Sequence, residues 1–345
     1  MNKVTHPLEH VLGWLKASGE ETRLRILALL MHGELSVTDL TDILAQSQPR
    51  ISRHLKLLAD VGLVERHREG AWAFYRLPSA QTAAHDYLHL LSEQLDCDCE
   101  PLITDVNRMY EVRALRAQAA LTYFNREAEN WDHIRSLYAP DEQVESTLLS
   151  LIKATFKDRK IGALLDLGTG TGRILNLLAP HSDQAVGMDA SPAMLKVARA
   201  NILNSELTHV ELRQADLYAL PNEGRRYDLI VMHQVLHHLD DPLRAIKQAA
   251  QLLSVGGYLM VVDFAPHHLE VLREKHAHQR LGFSQSQMQD WFNEVALNGV
   301  KHIDLCPPHT TTDHLTVSIW LAQDKRVLFD GVLPDVHTQL NFGVA

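Results

Sequence analysis

Three carboxylates, each closing a short apolar run in the second half of this chain, carry its strongest chemical signal. Asp166 follows Ala163, Leu164 and Leu165, Asp189 ends a run from Gln184, and Asp216 follows one near Val210–Arg213. Directly after Asp166 come Gly168, Thr169, Gly170, Thr171 and Gly172, leading into the amphipathic stretch Arg173, Ile174, Leu175. Glycines at such a turn let the backbone bend sharply and approach a ligand closely. Asp189 stands 21 positions after Gly168, near the roughly 20-residue spacing at which an acid meets ribose hydroxyls. Asp216 can accept a hydrogen bond from an adenine amino group. A dinucleotide site favours GxGxxG with a pyrophosphate at the helix N-terminus. Here the spacing is GxGxG, and Asp166 two residues before the first glycine would repel a pyrophosphate. It suits a nucleoside that carries positive charge.

The candidate nucleoside site is therefore Asp166, Gly168, Thr169, Gly170, Gly172, Asp189, Ala190, Ser191, Met194, Asp216, Leu217, His233 and Gln234. The elements that must position it are strands alternating with amphipathic helices over residues 146–323, the pattern of a parallel α/β sheet. A fourth strand is expected at Tyr227–His233 and a fifth at Gly257–Asp263. Two more are expected near Lys301–Leu305 and Leu315–Leu321. Every candidate ligand residue falls at a strand's C-terminal end, where open α/β sheets bind ligands. His233, His237 and His238 are the candidate proton acceptors, since neutral imidazole has a suitable pKa. His267, His268, His276 and His278 form a second group, read as surface or cavity lining. His276 and His278 are two apart and do not share a helical face. No metal site is assigned there.

The first half carries different chemistry. Leu24, Leu27, Ala28 and Met31 mark one apolar helix face, Gly33 ends it, and Ser36 can cap the next helix. After the turn Ala45–Ser47, a third helix starts near Gln48 with apolar Ile51, Leu55 and Leu58. Gln48, Arg50, Ser52, Arg53, His54 and Lys56 occupy its other positions, with no carboxylate before Asp60. Two short helices, a tight turn and a basic second helix make a helix-turn-helix, which lays that second helix in the major groove of double-stranded DNA. Two β-prone runs flanking Glu69–Gly70 read as a hairpin whose Arg66, Arg68 and Arg76 can touch the backbone beside the groove.

The whole chain bounds these readings. Its 345 residues and formal charge of −10 suit two domains and give no overall signature of nucleic-acid binding, so DNA contact must rest on a local basic surface. Three cysteines are too few for a disulfide framework. Cys97 and Cys99 form at best half a zinc site. No apolar run is long enough to span a bilayer and no signal pattern opens the chain, so a cytoplasmic location is expected. The divisions expected are residues 1–95 for DNA binding and dimerisation, 96–145 as a helical connector, 146–323 for the nucleoside domain, and 324–345 as a tail.

Two resemblances follow from these motifs. Glu20–Leu30, Glu34–Leu40 and Ser47–Leu58 resemble the ArsR family of winged-helix repressors, which implies a homodimer on a palindromic operator. Members that sense arsenite carry two cysteines where this chain has Ser36 and Thr38, so that sensor site is not expected. Asp166–Gly172, Asp189, Asp216–Leu217, Asp228–His233 and Leu252–Gly257 resemble class I S-adenosylmethionine-dependent methyltransferases, most of all the quinone-biosynthesis group. That implies seven strands, the last antiparallel, and S-adenosylmethionine as cofactor for methyl transfer to a small molecule. Asn125 to Asp132 resembles the segment that lids the cofactor. Three functions stay open: a regulator that also methylates, a non-catalytic sensor of S-adenosylmethionine or S-adenosylhomocysteine, and an enzyme whose N-terminal domain only dimerises. Arsenite methylation is not expected, since Cys306 is the one thiol in the second domain.

Overall fold

The computed structural model describes residues 7–69, 71–78, 82–96, 99–136, 141–157, 159–205, 207–221, 224–306 and 315–326. Helices α1 (Leu8–Ser18), α2 (Glu21–Leu30), α3 (Val37–Leu44) and α4 (Gln48–Asp60) build the first unit around strand β1 (Leu35–Ser36) and the hairpin β2 (Glu65–Glu69) and β3 (Trp72–Arg76). Ser36 caps α3 reciprocally with Asp39: each side chain takes the other's backbone N–H. Ala45, in the left-handed region at φ 51°, ends α3 and redirects the chain into α4. Pro49 is tolerated in the first turn of α4, where its missing N–H would have no helical partner. Ile51, Leu55 and Leu58 of α4 are fully buried against α2 and α3. Strand β1 pairs antiparallel with β3, which pairs with β2.

Helices α5 (Ala83–Gln94) and α6 (Leu102–Glu127) follow. Helix α6 has 26 residues, about 39 Å at 1.5 Å per residue. Its Met109 is buried in the same core as α2 and α4. Arg25 of α2 grips Asp105 of α6 through two hydrogen bonds of 2.7 and 2.8 Å. After α7 (Trp131–Ser136) and α8 (Asp141–Phe156), the second unit begins.

It contains β4 (Ile161–Leu167), α9 (Arg173–Leu178), β5 (Ser182–Asp189), α10 (Pro192–Asn204), β6 (Val210–Gln214), β7 (Tyr227–His233), α11 (Pro242–Gln251), β8 (Leu253–Phe264), α12 (Val271–His276), α13 (Gln285–Glu294), β9 (Leu297–Leu305) and β10 (Val317–Asp324). These seven strands form one sheet in the order β6-β5-β4-β7-β8-β10-β9. The first five strands pair in parallel, and β10 runs antiparallel to both neighbours. The α/β class with a seven-stranded sheet is thus as the sequence implied. The chain moves outward from β4 to β6 and then returns to β7. That places the switch point, where open sheets open a crevice, between β4 and β7. Apolar side chains cover both faces of the sheet in two clusters, one under α11 and α13, the other under α8 and α9. Strands β8 and β9 start earlier than their apolar patterns suggested: β8 begins at Leu253, and Asn298 and Gly299 of β9 pair with Gln323 and Ala322 of β10.

The two units touch through the inner face of the hairpin. Strand periodicity puts Glu65, His67 and Glu69 on one side of β2 and Arg66 and Arg68 on the other. Glu69, 6% exposed, accepts from Arg273 Nη2 at 3.2 Å, from Arg280 Nη1 at 3.4 Å and from the backbone N–H of Leu281 at 3.2 Å. Arg280, 1% exposed, lies 3.9 Å above the Phe74 ring and also faces Glu34. Arg273 covers the Trp72 ring at 4.6 Å.

Candidate functional site

A cavity of about 520 Å³ opens over the C-terminal ends of β4, β5 and β7, within the size range of small-molecule sites. Its walls include Asp166, Gly168, Thr169, Gly170, Asp189, Ala190, Ser191, Met194, Asp216, Leu217, His233 and Gln234. The structure thereby brings together every candidate nucleoside residue except Gly172. Gly172, at φ 79°, packs against α10 instead: a Cβ there would meet the Ala198 Cβ at 3.1 Å. Gly168 is confined more tightly still. It sits at φ 71° and a Cβ would fall 2.5 Å from Val235, so only glycine turns the chain there.

The acids are held by short-range backbone geometry. Asp166 Oδ2 accepts from Thr169 Oγ1 at 2.6 Å. Burial pushes its pKa up to about 7, with the Asp189 charge adding to the rise. Asp189 accepts from the N–H groups of Gly170 and Ser191, both at 2.8 Å. Burial raises its pKa too, and those N–H groups work against the rise. Asp216 is exposed and accepts from the Tyr218 N–H at 2.9 Å. The two arginines lining the cavity are already engaged: Arg116 with Asp39 and Asp240, Arg173 with Glu145 and Asp141. The Nε2 of Gln234 is buried without a hydrogen-bond partner. Surplus carboxylate and paired arginines make a poor cradle for pyrophosphate, and the orphaned amide donor can serve a single carboxylate. They fit a nucleoside bearing cationic and carboxylate groups.

The fourth wall comes from α6 and α7, which lie in the expected connector 96–145 and include the segment Asn125–Asp132 whose resemblance implied a lid. Ala117, Ala120, Leu121 and Phe124 of α6 line the cavity with Trp131 of α7. Their i, i+3, i+4, i+7 spacing on a charged helix was the available signal. Asn125 accepts from Ser191 Oγ at 2.7 Å and Asp132 from Thr171 Oγ1 at 2.8 Å, which ties this segment over the glycine turn. Tyr218, Val235, Leu239, Asp240 and Gln279 also face the cavity and had no sequence signal.

The three candidate proton acceptors separate. His233 and His238 line the cavity, whereas His237 does not. His237 lies behind the wall, with Nδ1 2.7 Å from Asp263 Oδ1. Of the second histidine group, His268 is exposed and His276 Nδ1 is hydrogen-bonded to the Tyr123 hydroxyl at 2.9 Å. His267 is half-buried, and His278 is buried. Cys99 and Cys306 are exposed, and Cys97 lies outside the described residues.

On the first unit, Gln48, Ser52, Lys56 and Arg66 line one groove between α4 and the hairpin. Arg50, Arg53 and Arg68 are exposed nearby in sequence. His54 and Arg76 are placed differently. His54 is half-buried with its Nδ1 3.5 Å from Glu20. Arg76 pairs with Glu65 at 2.9 Å and with Asp290 of α13 at 3.5 Å. Both side chains were expected outside because α4 and β3 had been read without the units that pack against them.

Fold and cavity together define a nucleoside-binding α/β unit joined to a helix-turn-helix. Comparison with known proteins names both halves. Residues 165–261 match the family described as a methyltransferase domain, and residues 20–66 match that of the bacterial regulatory proteins of the arsR family. The chain thus joins an arsR-type helix-turn-helix to a methyltransferase domain, and S-adenosylmethionine is the cofactor such a domain implies. A ubiquinone biosynthesis O-methyltransferase of Leptothrix cholodnii is 30% identical over 142 residues, 41% of this chain and 60% of that protein. The uncharacterized methyltransferase YcgJ of Bacillus subtilis is 27% identical over 177 residues, 48% of this chain and 68% of that one. The chain therefore spans only 60% of the length of the first relative. The N-methyltransferase NodS of Bradyrhizobium japonicum, solved with S-adenosyl-L-homocysteine, is 18% identical with a TM-score of 0.49, covering 60% of this chain and 99% of that one. Among the described residues no helix is long and apolar enough to cross a membrane.

Proposed function

We propose that this chain is a cytoplasmic, DNA-binding transcriptional regulator whose second domain, residues 146–323, binds S-adenosylmethionine and methylates a small molecule. The observation that carries the reading is the convergence of Asp166, Asp189 and Asp216 on one cavity whose arginines are neutralised. Asp189 is suited to the ribose hydroxyls, Asp216 to the adenine amino group, and Asp166 to the cationic amino-acid end. The cofactor supplies a methyl group on a positively charged sulfur. Transfer is an in-line displacement, so positioning by the α6 wall and the glycine turn supplies much of the catalysis. His233 and His238 are the cavity imidazoles available to a proton lost by the acceptor.

Residues 1–95 supply DNA binding through the groove residues of α4 and Arg66, and a winged-helix homodimer is the expected form. Leu8, Leu12 and Leu15 of α1 share one face and are exposed, as is Leu90 of α5, an apolar surface suited to a second copy. The connector 96–145 does more than join. Arg116 lines the cavity and also pairs with Asp39, the partner of Ser36 in the cap of α3. That contact favours a second reading, in which cofactor occupancy alters DNA affinity. Coupling of this kind requires unequal cofactor affinity for the DNA-competent and DNA-incompetent states.

Calorimetric titration with S-adenosylmethionine, with and without a DNA fragment from upstream of the gene, tests the proposal. Saturable heat, DNA retention and S-adenosylhomocysteine formation in cell extract are expected. Linked binding without that product selects the sensor reading. Absence of saturable heat overturns both.

A further inference from the structure

Behind the cavity wall lies a cluster the proposed reaction does not use. His237 and His238 sit in the turn Leu236–His238 after β7. His278 arrives from 40 residues further on. Helix α12 ends at His276, and Ala277 takes a left-handed conformation at φ 54°, which swings His278 inward. Backbone bonds then pin the two segments together: the N–H groups of Gln279 and Arg280 donate to the His237 carbonyl at 2.8 and 3.0 Å. One ring nitrogen from each of the three histidines lies within 4.8 Å of the others.

The tautomers are set from behind. His237 Nδ1–H donates to Asp263 Oδ1 at 2.7 Å, and its backbone N–H donates to Asp263 Oδ2 at 3.2 Å. His238 Nδ1–H donates to the Ala277 carbonyl at 3.1 Å. Both rings therefore turn a lone pair on Nε2 away from these partners. His238 Nε2 and His278 Nδ1 are buried with no hydrogen-bond partner. Buried orphaned acceptors are costly unless something fills them.

We propose that His237, His238 and His278 bind one divalent first-row transition-metal ion beside the cofactor cavity. Neutral imidazoles suit zinc, iron, copper or nickel in this class. Three protein ligands with an open fourth position is the arrangement of reactive rather than purely structural zinc sites. Asp263 supplies the carboxylate that metal-bound histidines commonly hold through their second nitrogen. Metal–nitrogen distances of about 2.0–2.1 Å require the rings to close in on the ion. Because His238 is also a wall residue, the site adjoins the cavity, and ligation leaves His233 as the imidazole for proton transfer. The site was illegible in sequence, where His237 and His238 read as candidate proton acceptors and His278 as surface or cavity lining.

The test uses the tag-free full chain, dialysed against a chelator and titrated with Zn²⁺ and with Co²⁺. One ion per chain and a visible Co²⁺ ligand-field spectrum are expected. His278→Gln should weaken Zn²⁺ binding at least tenfold while circular dichroism stays unchanged, and Asp263→Asn should weaken it about 10–100-fold. His268→Gln, at an exposed histidine, should change nothing. If the native chain binds no stoichiometric ion, or if His278→Gln binds Zn²⁺ as the native chain does, the site does not exist. Loss of S-adenosylmethionine binding with Zn²⁺ binding intact would instead overturn only the proposed function.

Discussion

The groove between α4 and the hairpin and the cavity over the sheet are opposites in design. The groove is open and flanked by exposed Arg50, Arg53 and Arg68, with Lys56 and Arg66 in its walls. The cavity carries Asp166, Asp189, Asp216 and Asp240 in its walls, with its arginines already paired. An open cationic surface attracts a polyanion through solvent and depends on salt. Buried carboxylates such as Asp166 and Asp189 act on a small cation at short range, in surroundings where each charge weighs more than in water. One chain of net charge −10 can carry both fields because they are kept apart. What lies between them is ionic as well: Glu34 and Glu69 against Arg280, and Asp39 and Asp240 against Arg116.

The largest effect should come from breaking that seam. Arg280→Ala leaves Glu34 and Glu69 buried without their shared partner, which should cost about 3–5 kcal/mol. Denaturant unfolding measures it, and a loss below about 1 kcal/mol would show that the units are not clamped there. Next, Asp189→Ala should weaken S-adenosylmethionine binding by at least about 100-fold, as two hydrogen bonds to a charged group are worth about 1.5–3 kcal/mol each. Calorimetry reads the loss, while DNA retention without cofactor should be unaffected.

Proton linkage at Asp166 sharpens the contrast further. Its pKa of about 7 in the empty cavity means that a cationic ligand must drive a proton off below that value. Affinity should therefore be level above about pH 8 and fall roughly tenfold by pH 6, one unit below the pKa. Titration in two buffers of different ionisation enthalpy counts the released proton; a flat profile would remove Asp166 from the cationic end. The smallest effect belongs to the groove. Lys56→Ala should weaken operator binding a few-fold and lower the salt slope by about 1, read by retention at several salt concentrations. An unchanged slope would move the DNA contact elsewhere.

Much of the cavity was legible because its parts are local. Asp166 through Gly170 form one strand-to-turn segment, and Asp189 and Asp216 end strands of the same sheet, so spacing alone carried them. His54 and Arg76 misled for the complementary reason. Their helix and strand were read correctly, but Glu20 and Asp290, which hold them, come from elsewhere in the chain.

The sequence by itself determined the two element patterns, the glycine turn, the acids at strand ends and the basic helix. Those depend on backbone periodicity and on residues a few positions apart. Only the tertiary structure decided that α6 walls the cavity, that the hairpin is clamped at Glu69, and that His278 meets His237 and His238. Each of these rests on packing between segments far apart in sequence, where no periodicity links one partner to the other.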